Sequence, residues 1–276
     1  MKPVQISLDD YVLSGGGANG ESYNHKTDPG IMLKLYFPGK IKQPLDEMLM
    51  ARKVFELGIP SPEPGDYVVT EDGRYGIRFR RILNKKSYSR ATGDNPELVG
   101  EYAREFADMC LKLHQVHVDT SQFECVKDRY YRLLEENPFF TAREKDRIGK
   151  FIADAPDTDT AVHGDLQYSN AIFTGQERYF IDLGDFCYGY RMFDLGMVYL
   201  CCCLSNADFI LETFHMPKPL AIKFWQNFAP AYFGTDRTLK DIEEEIQPYA
   251  GLKTLIIERD TKCPMPEFRA ALASVL

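Results

Sequence analysis

Apolar side chains recur at three- and four-residue intervals across 96–116 (PELVGEYAREFADMCLKLHQV), where Leu98, Val99, Tyr102, Phe106, Met109, Cys110 and Leu113 fall on one side of a helical repeat. The pattern predicts a long amphipathic helix with one buried stripe. Segment 44–57 (PLDEMLMARKVFEL) repeats the theme. Proline and the carboxylates Asp46 and Glu47 open it, Leu45, Met48, Leu49, Ala51 and Phe55 supply an apolar set, and Gly58 with the proline-rich IPSPEP closes it. Further helices are predicted over about 127–137, 142–153, 192–204, 218–232 and 238–257. Elsewhere the runs are short and β-type. Residues 31–37 (IMLKLYF) and 75–82 (YGIRFRRI) read as strands, another lies near 10–13, and Glu71, Asp72 and Gly73 make a hairpin turn before 75–82.

Taken in order, the chain opens with short strands around one helix, changes character near residue 85, and continues as helices interrupted once, by a β-rich interval at 160–183. That order predicts an α+β fold with two lobes, a small β-rich lobe over 1–84 and a larger, mainly helical lobe over 85–276, joined by a connector near 83–90. No repeat of about 20–50 residues and no low-complexity tract changes this reading. Two lobes imply a cleft, and such junctions commonly hold ligands.

With 276 residues, 44% of them apolar and 13% aromatic, the chain can bury a substantial core. Its net charge of −8, from 33 basic and 41 acidic side chains, carries no polybasic run, so neither a nucleic-acid partner nor an anionic-membrane anchor is expected. The opening MKPVQISLDD lacks the pattern of a signal peptide, and no run of about 18 apolar residues could span a bilayer, which points to the cytoplasm. Seven cysteines form no C-x-x-C pair, and Cys201, Cys202 and Cys203 stand in a row where disulfide geometry is seldom met, so they are expected to be reduced, buried apolar residues.

The chemistry concentrates in 163–170 (HGDLQYSN) and 181–185 (IDLGD). Phosphoryl transfer needs a carboxylate to orient the attacking hydroxyl and hard oxygen ligands to hold magnesium on the phosphates. Asp165 and Asn170 in a tight loop, followed about a dozen residues later by Asp182 at the end of a strand, supply those groups in order. Alone, each would read as an ordinary turn former. In 14–23 (SGGGANGESY) glycines would let backbone N–H groups approach phosphate oxygens, which makes Gly16, Gly17 and Ser22 candidates for nucleotide contact. Lys34 lies mid-strand among apolar residues, an awkward place for a charge without a partner. The connector after 75–82 would line an adenine pocket, with Arg81 and Leu83 as its neighbours.

HGDLQYSN resembles the H-G-D-x-x-x-x-N catalytic loop of the aminoglycoside phosphotransferases and choline kinases, which have glycine where protein kinases usually carry the arginine of H-R-D. IDLGD resembles their I-D-x-x-D segment, and 191–196 (RMFDLG) their F-D-L-A or Y-D-I-A motif. The likeness extends over the glycine loop, the lysine strand, the following helix, IPSPEP and the helix ending in Leu113 and His114.

The resemblance implies a protein-kinase-like fold with an antiparallel N-lobe sheet, and ATP and Mg2+ as cofactors. It implies Asp165 as the catalytic aspartate, Asn170 and Asp182 as metal ligands, and Lys34 on the phosphates, paired with Glu47 or the adjacent Asp46. Asp194 and His163 would brace the catalytic loop, and the role of Asp185 stays open. The implied activity is transfer of the ATP γ-phosphate to a hydroxyl of a small metabolite or antibiotic; the alternative is a catalytically silent nucleotide-binding module of the same fold. An acidic run at Asp241, Glu243, Glu244 and Glu245 could attract a cationic acceptor or form a solvated face. No G-x-S-x-G element supports a serine hydrolase.

Overall fold

The computed structural model describes residues 1–17, 19–38 and 42–276. Contacts divide the chain into two compact units, Met1–Lys86 with Ile172–Asp185, and Ser87–Ala171 with Phe186–Leu276.

The first unit is built on β1 (Val4–Ile6), β2 (Tyr11–Gly16), β3 (Gly20–His25), β4 (Ile31–Tyr36), helix α1 (Lys42–Glu56), β5 (Pro64–Thr70) and β6 (Tyr75–Arg80). Six strands form one sheet in the order β1-β5-β6-β4-β3-β2. Its pairings are antiparallel except for β1 with β5, which run parallel in the register Val4 opposite Val68. The expected antiparallel sheet forms, and β1 adds to its edge as a parallel neighbour of β5. The chain from β2 through α1 serves as the long crossover a parallel pair requires.

Alternation along β4 sorts its side chains between the two faces. Leu33 and Leu35 are fully buried with Ile6, Tyr11, Tyr23 and Val68, while Tyr36 packs on the opposite side with Met48, Tyr67 and Ile77. Helix α1 supplies Met48, Ala51 and Val54 to the buried core, whereas Leu49 and Phe55 stay exposed, so the inward stripe is narrower than the apolar spacing predicts. The hairpin turn between β5 and β6 forms as expected. The Thr70 N–H donates to the Arg74 carbonyl at 2.9 Å, and Gly73 takes a φ of +82° that suits glycine.

Residues 172–185 join this unit because Phe180 N–H donates to the Pro60 carbonyl at 2.8 Å and Gly184 lies against Glu47. The boundary expected at 84/85 places that segment in the second lobe.

The chain continues with β7 (Lys86–Ser87), α2 (Tyr88–Asp94), α3 (Val99–Leu113), α4 (Val126–Glu136), α5 (Ala142–Asp154), β8 (Ala161–Val162), β9 (Ala171–Phe173), β10 (Arg178–Phe180) and β11 (Cys187–Tyr188). It ends with α6 (Met192–Tyr199), α7 (Ala207–Phe214), α8 (Lys218–Phe233), α9 (Leu239–Thr261) and α10 (Pro266–Arg269). Of these, α3, α4, α5, α6, α8 and α9 match predicted helices. Helix α2 (YSRATGD) escapes prediction because serine, threonine and glycine are weak helix formers, and Ser87 must cap it by accepting the Arg90 N–H. Helix α7 escapes because Phe209 and Leu211 stay exposed and blur its stripe.

The helix predicted over 192–204 ends instead at Tyr199, and Leu200–Leu204 follows as a π turn closed by Ser205 N–H on the Leu200 carbonyl. The core of the second unit is aromatic. Phe106 of α3 meets Phe224 and Phe228 of α8 at ring distances of 6.0 and 5.4 Å. Among the described residues no single helix is long and apolar enough to cross a membrane.

Candidate active site

In the first unit, β4 and α1 aim opposite charges at one point. The Lys34 ammonium donates to Glu47 Oε1 at 2.7 Å and to Asp182 Oδ1 at 2.6 Å. Asp46 points outward, so of the two candidates Glu47 is the partner. The second Glu47 oxygen accepts the Tyr36 hydroxyl. Burial alone pushes the Lys34 ammonium down, but Asp182 and Glu47 more than reverse it and hold it above its ordinary value. Asp182 follows β10 with a φ of +57°, a conformation uncommon for a side-chain-bearing residue, and its carboxylate stays 47% exposed. A Cβ at Gly184 would come within 3.1 Å of Glu47 Cγ, so glycine in IDLGD leaves room for that side chain.

Ser22 pairs directly opposite Lys34 across β3 and β4. Gly16 ends β2, and the Gly17 N–H is already taken by the Gly20 carbonyl at 2.9 Å within the hairpin; Ala18 lies outside the described residues. Arg81 follows β6 with its N–H on the Gly30 carbonyl at 2.8 Å, and Leu83 beyond it is exposed.

In the second unit, 163–170 forms a tight loop. Asp165 Oδ2 accepts the Asn170 amide at 2.9 Å and the Gln167 amide at 3.2 Å, and the Asn170 amide also reaches the Asp165 carbonyl at 3.0 Å. Gly164, with a φ of +87°, makes the bend that a side chain would strain. The Asp194 carboxylate accepts the N–H groups of His163 and Gly164, and His114 Nε2 lies 3.1 Å from its Oδ2. His114 Nδ1 in turn meets the Tyr232 hydroxyl at 2.7 Å. Asp194 is wholly buried. Burial pushes its carboxyl up, and His114, His163 and Lys253 outweigh that and keep it low.

Lys253, Gln167 and Tyr36 carry no sequence signal. Lys253 is 1% exposed in α9 with its ammonium 5.3 Å from the Tyr130 ring centre. Against the penalty of burial, Tyr130, Asp194 and Asp165 hold it above its ordinary value. The cysteines are all free, but the expected burial fails at Cys125 and Cys203, which are half-buried, and at Cys263, which is exposed; the Cys201 thiol faces the Gln167 amide oxygen at 3.9 Å. In the acidic run each member is engaged locally. Asp241 caps α9 with Thr238, Glu243 accepts the Trp225 indole at 3.0 Å, Glu244 faces Lys240 and Glu245 faces Arg237.

Each unit carries its own set of polar groups. One presents a lysine between two carboxylates next to a glycine hairpin, a set that suits polyphosphate and its counter-cation. The other presents a braced aspartate with an asparagine beside it. Asp182 already holds a cationic ammonium, and a carboxylate oxygen suits a hard cation as well. Among the described residues no three His, Cys, Asp or Glu side chains gather as a metal cage of their own.

The fold is of the protein-kinase-like class. The chain belongs to the phosphotransferase enzyme family, whose profile matches residues 12–215. Among solved structures it is similar to aminoglycoside phosphotransferase APH(4)-Ia in complex with ADP and hygromycin B, with a TM-score of 0.64 and 12% identity over 95% of this chain and 90% of that one. It is similar to the amicoumacin kinase hAmiN in complex with AMP-PNP, Ca2+ and Ami, with a TM-score of 0.59 and 15% identity over 99% and 88%. It is also similar to a choline/ethanolamine kinase family protein from Mesorhizobium loti, with a TM-score of 0.53 and 18% identity over 95% and 85%. At these identities the likeness establishes the fold. Comparison with curated proteins gives no match.

Proposed function

We propose that this protein transfers the γ-phosphate of ATP to a hydroxyl group of a small molecule in the cytoplasm, with neither nucleic acid nor membrane as partner. The observation that carries the reading is Lys34 held between Glu47 and Asp182, in a chain whose other catalytic segment presents Asp165 hydrogen-bonded to Asn170. In this reading 1–84 binds the nucleotide and 85–276 carries the catalytic loop and the acceptor. Lys34 contacts the phosphates, while Gly16, Gly17, Ser22, Arg81 and Leu83 border the nucleotide. Asp165 orients the acceptor hydroxyl and takes its proton as the new O–P bond forms and the β–γ bridging oxygen leaves with ADP. Asn170 and Asp182 would hold magnesium, which supplies charge neutralisation at the phosphates.

The test is an ADP-release screen with ATP and magnesium across aminoglycosides, choline, ethanolamine, homoserine and sugars, with Asp165→Ala as control. A signal lost in Asp165→Ala supports the assignment; an unimpaired Asp165→Ala enzyme sinks the mechanism. Nucleotide binding without turnover on any acceptor would favour the silent module instead.

A further inference from the structure

Lys34 and Tyr36 are two residues apart on β4, so both side chains rise from the same face of the sheet. Both end on Glu47. One carboxylate oxygen takes the lysine and the other takes the tyrosine hydroxyl, so neither is left to solvent pairing. The glutamate is 11% exposed on its side chain and Tyr36 is 1% exposed. The Lys34 ammonium also lies 5.4 Å from the centre of the Tyr36 ring. A buried tyrosine hydroxyl needs an acceptor, and turning Glu47 away would cost Tyr36 the one it has. Packing alone does not account for the hydroxyl, because the surrounding Met48, Tyr67 and Ile77 would accept a phenylalanine ring equally well.

We propose that the Tyr36 hydroxyl is the positioning contact that fixes Glu47 and, through it, holds Lys34 ready for the nucleotide phosphates; the assignment rests on the phosphotransferase reading above. Tyr36 touches no substrate and acts through Glu47. Burial, reinforced by the neighbouring Glu47 carboxylate, pushes its hydroxyl pKa well up, so it remains a neutral donor throughout the working range.

The test is Tyr36→Phe, read by calorimetric titration with magnesium·ADP, with Ile77→Val as a packing control in the same cluster. Affinity should fall on the order of tenfold in Tyr36→Phe while Ile77→Val binds like wild type, and the Tyr36→Phe loss should vanish when introduced into a Glu47→Gln background. Unchanged affinity in Tyr36→Phe, an equal loss in Ile77→Val, or a full additional loss on top of Glu47→Gln would each overturn the positioning role and leave the phosphotransferase reading standing. Failure of the wild-type protein to bind magnesium·ADP would instead remove that reading, and the proposal with it.

Discussion

The Asp194 carboxylate accepts the backbone N–H of His163 at 2.6 Å and, on its other oxygen, the N–H of Gly164 at 2.9 Å. The loop that carries Asp165 is thus held by a buried charge on α6 rather than by a strand ladder. Truncation to Asp194→Ala leaves two buried N–H groups and His114 without their acceptor. The expected loss is about 3–5 kcal/mol of unfolding free energy, as for one partner removed from a buried ionic network. Asp194→Asn retains one acceptor oxygen and should lose about 1–3 kcal/mol. Urea unfolding of the three proteins checks the order, and equal stability of Asp194→Ala and wild type would refute the bracing role.

The same carboxylate predicts an acid limb. Its folded pKa lies below the ordinary 3.8 because His114, His163 and Lys253 outweigh the penalty of burial. A depressed carboxylate stabilises the fold fully above its unfolded pKa, and that contribution is lost as pH falls through the folded value. The stability gap between wild type and Asp194→Asn should therefore be constant near neutrality and shrink between about pH 5 and pH 2. A gap that widens on acidification would reverse the assigned sign.

Several residues of the candidate site stand out in the sequence because their signals are local. Asp165 and Asn170 share one tight loop, Lys34 is a charge inside an apolar strand, and the 44–57 pattern places Glu47 in the first turns of a helix. What stays hidden depends on tertiary register. Glu47 and Asp46 are equivalent on paper until the face that α1 turns to the sheet is known, and Tyr36 reads as one more aromatic in a strand until its hydroxyl is seen on Glu47. The parallel pairing of β1 with β5 is set by residues more than sixty positions apart, beyond the reach of any local pattern. Gly17 reads as an open phosphate contact, yet the hairpin register commits its N–H to Gly20.

Lys253 is the least legible member of the set, a buried cation in a stretch without a motif. Its replacement by methionine keeps much of the volume and removes the charge that lies over the Tyr130 ring and acts electrostatically with Asp194 and Asp165. Lys253→Met should be net destabilising, because Asp194 then keeps its charge with less compensation. Combined with Asp194→Asn, the double mutant should lose less than the sum of the two single losses, since each removes the reason for the other's cost. A double-mutant cycle by urea unfolding measures this directly. Strict additivity would mean that the two charges do not interact.

Gly196 lies two residues beyond Asp194, where the resemblance leads one to expect alanine. A Cβ built there would meet the Tyr249 carbonyl carbon at 2.6 Å and the Ala250 nitrogen at 2.7 Å, both backbone atoms of α9. Neither can yield as a flexible side chain could, so the glycine permits the close approach of α6 to α9. Helix propensity alone favours Gly196→Ala by about 1 kcal/mol. Overpacking opposes it, at about 1–3 kcal/mol or more once a helix must shift. The prediction is net destabilisation, with loss of turnover beyond the loss of folded protein, because a displaced α6 carries Asp194 away from the His163 and Gly164 N–H groups. Urea midpoints and specific activity, normalised to the folded fraction, decide it; a Gly196→Ala protein as stable as wild type would show that α9 can move aside without cost and that the glycine is incidental.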